Sequence, residues 1–161
     1  MNEEKFNIEL VSLDSINVIS AALDNRSGFT TIDHSGLDVS FQYQLIPSVS
    51  IRSNKIQVIA EYEIRAARSD SDKLDISSKY SIVFLFSIKN LSELAVLEDT
   101  GLISIDDEML SSLLNITYST SRGILYSRYL GSVLDGVILP VISTADLFKS
   151  PSAIKSIPAK K

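Results

Sequence analysis

The apolar positions fall into two periods, near two residues in the N-terminal half and near 3.6 in the C-terminal half. Phe6, Ile8 and Leu10 alternate with Asn7 and Glu9, the pattern of a first strand, and the chain reads as extended through 15–23. Residues 24–36 have loop composition. A second strand spans 37–46, with Val39, Phe41, Tyr43 and Leu45 on one face and Asp38, Ser40, Gln42 and Gln44 on the other. Pro47, lacking a backbone donor, stops or kinks it. The cleanest alternation lies at 54–67: Ile56, Val58, Ala60, Tyr62, Ile64 and Ala66 oppose Gln57, Glu61, Glu63 and Arg65. It predicts one covered and one wetter sheet face. After a polar connection at 69–78, a fourth strand at 79–89 carries Ile82, Phe84, Phe86 and Ile88. Val83 and Leu85 make its back apolar too, so it is either central or covered by a second subunit.

Residues 90–105 form a crossover without a sharp period. Ser104, with Asp107 three residues on, reads as a helix start, and Asp106, Asp107 and Glu108 suit the positive helix end. The helix runs over 105–130, roughly 37 Å at 1.5 Å per residue. The two glycines in 131–136 end it, and Pro140 keeps 137–142 extended. A short helix follows at 143–148, capped by Ser143 or Thr144. One domain therefore covers 1–148. The tail at 149–161, with two Pro and four Lys, has the composition of a disordered segment.

On a helical wheel Leu110, Leu113, Leu114, Thr117, Ser121, Ile124, Leu125 and Arg128 share a broad face. Ser112, Ile116, Ser119, Gly123, Tyr126 and Leu130 share the opposite one. Both faces become small at mid-helix, where small residues admit a neighbouring backbone and hydroxyls can bond back to helix carbonyls. This predicts a helix sandwiched between its own sheet and a second copy of the chain; the alternative is a surface helix with a polar middle.

Composition sharpens the picture. Of 161 residues 45% are apolar and 22% charged, with a mean hydropathy of +0.18. That much apolar surface needs a subunit interface or a binding groove to cover it. The net charge of −5 counts against nucleic-acid binding. The chain has no Cys, which excludes thiol chemistry and fits a reducing compartment. The acidic start is not a signal peptide, and no apolar run reaches the roughly 20 residues of a membrane helix. These features describe a soluble cytoplasmic protein.

Reactive constellations are lacking in the sequence. His34 lies beside Asp33 and Ser35 in a loop, whereas catalytic triads join residues distant in sequence. A lone His makes a poor metal site. The glycine pair Gly131 and Gly136 has phosphate-loop spacing, but Val137 stands where lysine is required. The chain reads as a non-enzyme without cofactors.

Ser121-Arg122-Gly123 on the long helix, then Pro140-Val141, then Asp146-Leu147-Phe148 follow the order of motifs in the C-terminal half of SecB-like chaperones. With the four upstream strands, the chain resembles that family over about residues 6–148. The resemblance implies an α+β subunit: a four-stranded antiparallel sheet with one long helix and a short C-terminal helix. It implies a homo-oligomer, a dimer or dimer of dimers, joined through the helix and the sheet edges. Ile116, Ser119, Arg122, Gly123 and Tyr126 fall at that interface, with Arg122 pairing a carboxylate or bonding carbonyls across it. It implies an ATP-independent holdase for unfolded or precursor polypeptides, with Phe41, Tyr43, Leu45, Leu125 and Tyr129 lining the grooves. Delivery to the SecA motor would use Glu61 and Glu63, although Arg65 shares their face and the tail is basic where familiar members are acidic. Some SecB-like proteins instead guard one antitoxin. A structural oligomerisation module is the remaining alternative.

Overall fold

The computed structural model describes residues 6–26, 37–68, 71–99, 102–147 and 155–158. Four long strands build the sheet: β1 (Val11–Asn25), β2 (Leu37–Ser50), β3 (Lys55–Arg68) and β4 (Ser71–Ile88). A short helix, α1 (Leu91–Leu94), leads into a small hairpin of β5 (Ala95–Leu97) and β6 (Ile103–Ile105). The long helix α2 (Asp107–Tyr129) follows, then the short α3 (Thr144–Leu147) and a last strand β7 (Lys155–Pro158). The main sheet has the order β1-β4-β3-β2-β7 and every pairing in it is antiparallel.

The alternating pattern of β3 becomes the floor of the core. Ile56, Val58, Ala60, Tyr62, Ile64 and Ala66 are all buried, as are Ile76, Tyr80, Ile82, Phe84, Phe86 and Ile88 of β4. Helix α2 lies on this face through Met109, Leu113, Leu114, Thr117, Tyr118, Ser121, Leu125 and Tyr129. β4 lies between β1 and β3, and so its apolar back, Val83 and Leu85, is half-buried inside the sheet. At the β2–β3 turn Asn54 adopts φ 54°, a left-handed conformation that asparagine tolerates, and its carbonyl accepts from the Ile88 amide at 2.9 Å.

Several elements differ from the sequence reading. The first strand begins at Val11; Ile8–Leu10 is a single tight turn whose start is capped by the Asn7 side chain. β2 passes straight through Pro47, which pairs with Val58, because β7 pairs only with residues 38–41 and the proline nitrogen can point off the sheet beyond them. β4 extends back to Ser71, so most of the polar connection is strand. Asp106, not Ser104, caps α2: its carboxylate accepts from the Met109 amide at 2.9 Å, while Ser104 lies in β6. Ser143 caps α3, accepting from the Asp146 amide at 3.3 Å. Lys155–Pro158 form a strand within the segment that composition reads as disordered. His34 and Phe148 lie outside the described residues.

Candidate functional site

The sheet–helix interface is lined by tyrosines whose hydroxyls hold the C-terminal segment down. Tyr118 donates to the Pro140 carbonyl at 2.8 Å, and Tyr43 donates to the Asp146 carbonyl at 3.2 Å. Arg122 donates through Nε to the Leu139 carbonyl at 2.8 Å. Three side chains thus clamp a stretch that has no ladder of its own, leaving Leu139 and Leu147 buried beneath it. The sequence reading puts the partner of Arg122 across a subunit contact; in the single subunit its Nε bonds a carbonyl of its own chain.

Burial dominates the titration of these groups. It pushes the Tyr118 hydroxyl up strongly, and Tyr43 in the same direction, with the Asp146 carboxylate adding to the latter. Tyr62 is also pushed up by burial; the Ser121 hydroxyl nearby favours its ionised form but is outweighed. No well-aligned hydrogen bond links them. Among the described residues Tyr62 Oη, Thr117 Oγ1 and Ser121 Oγ are buried without a partner, so these two helix hydroxyls do not bond back to helix carbonyls. Tyr129 sits at about 12, raised by burial despite its 2.8 Å hydrogen bond with Ser78.

The structure separates the expected groove residues. Phe41, Leu125 and Tyr129 are core, and no chain could reach them in this conformation. Tyr43 and Leu45 are half-buried beside them. On the outer side of α2, Ser119, Gly123 and Tyr126 are exposed in the single subunit and Ile116 is half-buried. A methyl group built at Gly123 would meet nothing within 4 Å.

Glu61 and Glu63 line a shallow hollow of about 460 Å³ on the other face of the sheet, with Gln42, Gln44, Lys79 and Ser81. Glu63 is compensated: Arg65 Nη2 lies 2.7 Å and Lys79 Nζ 3.5 Å from its Oε1. The Arg65 hydrogen bond is the main reason its carboxyl titrates below the usual range. Glu61 is exposed.

Two apolar surfaces lie elsewhere. The β5–β6 hairpin is an arm whose Val96, Leu97, Leu102 and Ile103 are 58%, 63%, 68% and 38% exposed. It leaves the sheet at the end where β4 runs into α1, tied to the helix start by the Asp106 amide donating to the Leu94 carbonyl at 2.7 Å. The second surface is β1, whose Leu13, Ile16 and Leu23 fall on the core side of the sheet but remain exposed. The sequence reading missed both. The arm hides in an aperiodic crossover, although a run of apolar residues with nothing to pack on was its signal.

A search of solved structures finds chains of similar fold. The chain superposes on the Mycobacterium tuberculosis SecB-like chaperone Rv1957, solved in complex with a ChAD peptide from the Rv1956 HigA1 antitoxin. The TM-score is 0.59 over 84% of this chain and 92% of that one, at 12% identity. The fold is SecB-like. At that identity the likeness speaks for architecture alone, and it matches the sheet, long helix and short C-terminal helix found here. No family model matches the sequence, and neither does any curated protein. Among the described residues no helix is long and apolar enough to cross a membrane, and no group of three or more acidic or histidine side chains could hold a metal.

Proposed function

We propose that this chain is a SecB-like chaperone that holds extended, unfolded polypeptides without ATP. The observation that carries the reading is the β5–β6 arm, four large apolar side chains held out to solvent on a SecB-like subunit. Isolated exposed apolar residues are ordinary, but four on one short hairpin, with Leu97 and Ile103 as cross-strand partners on one of its faces, mark an interaction surface. Many weak apolar contacts on several copies would sum to useful retention of one client. The exposed flank of β1 and the outer side of α2 are assigned to assembly, and Glu61 to docking of an export motor such as SecA.

A second reading has its own support. The solved likeness carries an antitoxin peptide, so a chaperone dedicated to one such partner is the competing assignment. The two are separated by a panel of unrelated aggregating proteins. A general holdase suppresses light scattering for several of them near equimolar ratio. A dedicated chaperone suppresses none and stabilises one antitoxin-like partner. In either case Val96→Asp with Leu97→Asp is expected to abolish protection while leaving circular dichroism and mass in solution unchanged. Full protection by that double variant removes the arm from the site.

A further inference from the structure

The two edges of the sheet are built differently. Along β1 the register slips between Leu13 and Ser15 and again between Val18 and Ser20, leaving Asp14 and Ile19 as bulged residues. The first bulge is pinned, with Asp14 Oδ2 accepting from Ser87 Oγ at 2.6 Å and from Lys55 Nζ at 3.0 Å. Bulges twist an edge away from any strand that would add to it. β2 is regular. It pairs with β3 from Leu37↔Arg68 to Ser50↔Lys55 without a register shift.

Part of this regular edge is already taken. β7 adds to it antiparallel, with Asp38↔Pro158, Val39↔Ile157, Ser40↔Ser156 and Phe41↔Lys155. Pro47 sets the far limit. Its nitrogen must point off the sheet, and counting back by twos the Phe41 and Val39 amides point the same way. The row of outward donors is therefore continuous only below position 47. Within it β7 covers 38–41 and leaves 42–46 open among the described residues.

We propose that the β2 edge is a strand-addition site for an extended polypeptide, and that β7 is its built-in, displaceable occupant. The inference rests on the chaperone reading and gives that function a second contact surface, made of backbone. A four-residue strand that ends on a proline forms a short ladder and detaches easily. Its covalent tether keeps it at high effective concentration, so it guards the edge against aggregation when no client is present. An incoming segment that pairs over the whole window makes a longer ladder and displaces it. Backbone hydrogen bonds accept almost any sequence, while positions opposite Val39 and Phe41 favour apolar residues because both side chains pack with the core. The partner is thus an extended, unfolded segment with alternating apolar residues.

The absence of cysteine makes a clean test possible. Ser40→Cys with Ser156→Cys places one pair at register partners, whose Cα atoms in an antiparallel ladder lie about 4.5–5.5 Å apart, within disulfide range. The probe is fluorescent, reduced and carboxymethylated α-lactalbumin, which stays unfolded. The oxidised variant is expected to bind it about fivefold more weakly than the reduced one, and a chain ending at Ile154 to bind it several-fold more tightly than the full chain. An intrachain disulfide with unchanged affinity in both variants overturns the proposal. A disulfide found only between chains also overturns it, since the strand then belongs to a second copy. Amide exchange at Val39 and Phe41 gives a readout free of any client. Faster exchange in the shortened chain supports β7 as the occupant, and equal exchange refutes it. If no form binds the probe, the chaperone reading falls and takes the client half of the proposal with it, while the exchange result still decides the occupancy.

Discussion

Thr117 and Ser121 show what the small centre of the long helix does within one subunit. Both point at the sheet, where Tyr62 is 3% exposed, and short side chains there let the helix backbone approach the β3 tyrosine. Their hydroxyls are buried without partners among the described residues, which costs free energy instead of supplying it. Thr117→Val keeps the branched shape and removes the hydroxyl. It is expected to stabilise the subunit by about 1 kcal/mol, seen as a higher urea midpoint at unchanged slope. A loss of stability would mean that the Thr117 hydroxyl is bonded in solution. That small residues sit at mid-helix was legible in the sequence. The helical wheel also puts Thr117 and Ser121 with the leucines; what it could not give is that both hydroxyls stay unbonded there, because that depends on what the sheet sets opposite them.

Legibility among the elements follows the regularity of each pairing. β3 could be read almost to the residue because it is flanked on both sides and alternates without interruption. β1 could not, and its bulges are the reason. Its core-side residues run Leu13, Ile16, Val18, Ala21, Leu23, so two of the steps are three residues long and the two-residue period is lost. The start of β4 was hidden for another reason: Ser71–Ile76 is polar, and polar residues at the end of a long hairpin look like a loop. For α2 the period was clear, but the cap was misplaced by two residues because 104 and 106 both offer a capping side chain. Its outer side carries the element-scale prediction. Gly123 has a helical backbone and open space around it in one subunit, so a larger side chain costs the isolated fold nothing and improves helix propensity by up to about 1 kcal/mol. If a second copy packs there, the same change wedges the copies apart. Gly123→Leu is expected to keep its helical circular dichroism and shift mass in solution towards smaller species. Unchanged mass would place this face in water.

At the scale of the whole molecule, the layered architecture was legible because four alternating segments and one long helical period leave few arrangements that bury both apolar faces. What was not legible is how the layers are fastened. They are joined by tyrosines spread across the core: Tyr43 and Tyr118 meet edge to face at 5.5 Å, Tyr62 lies 6.2 Å from Tyr118, and Tyr80 meets Tyr129 at 6.0 Å. This makes the fold sensitive to high pH. Tyr129 ionises at about 12 in the folded chain against an ordinary value of 10.0, and Tyr62 and Tyr118 are pushed up further. A raised folded value means that the neutral form is favoured by folding. Its contribution is complete below pH 10 and is withdrawn as the pH climbs through the folded value. Each pKa unit corresponds to about 1.4 kcal/mol, so Tyr129 alone withdraws on the order of 2–3 kcal/mol by pH 12. Typical domains hold only about 5–15 kcal/mol in total. The expected result is one cooperative transition between pH 10 and 12, in which tyrosinate absorbance at about 295 nm rises together with the loss of β and helical circular dichroism. Tyr129→Phe removes one of the titrating groups and is expected to move that midpoint upwards, even though it leaves the Ser78 hydroxyl without its 2.8 Å partner. If instead every tyrosine ionises near pH 10 in a chain that stays folded, the aromatic layer is open to water and does not fasten the helix to the sheet.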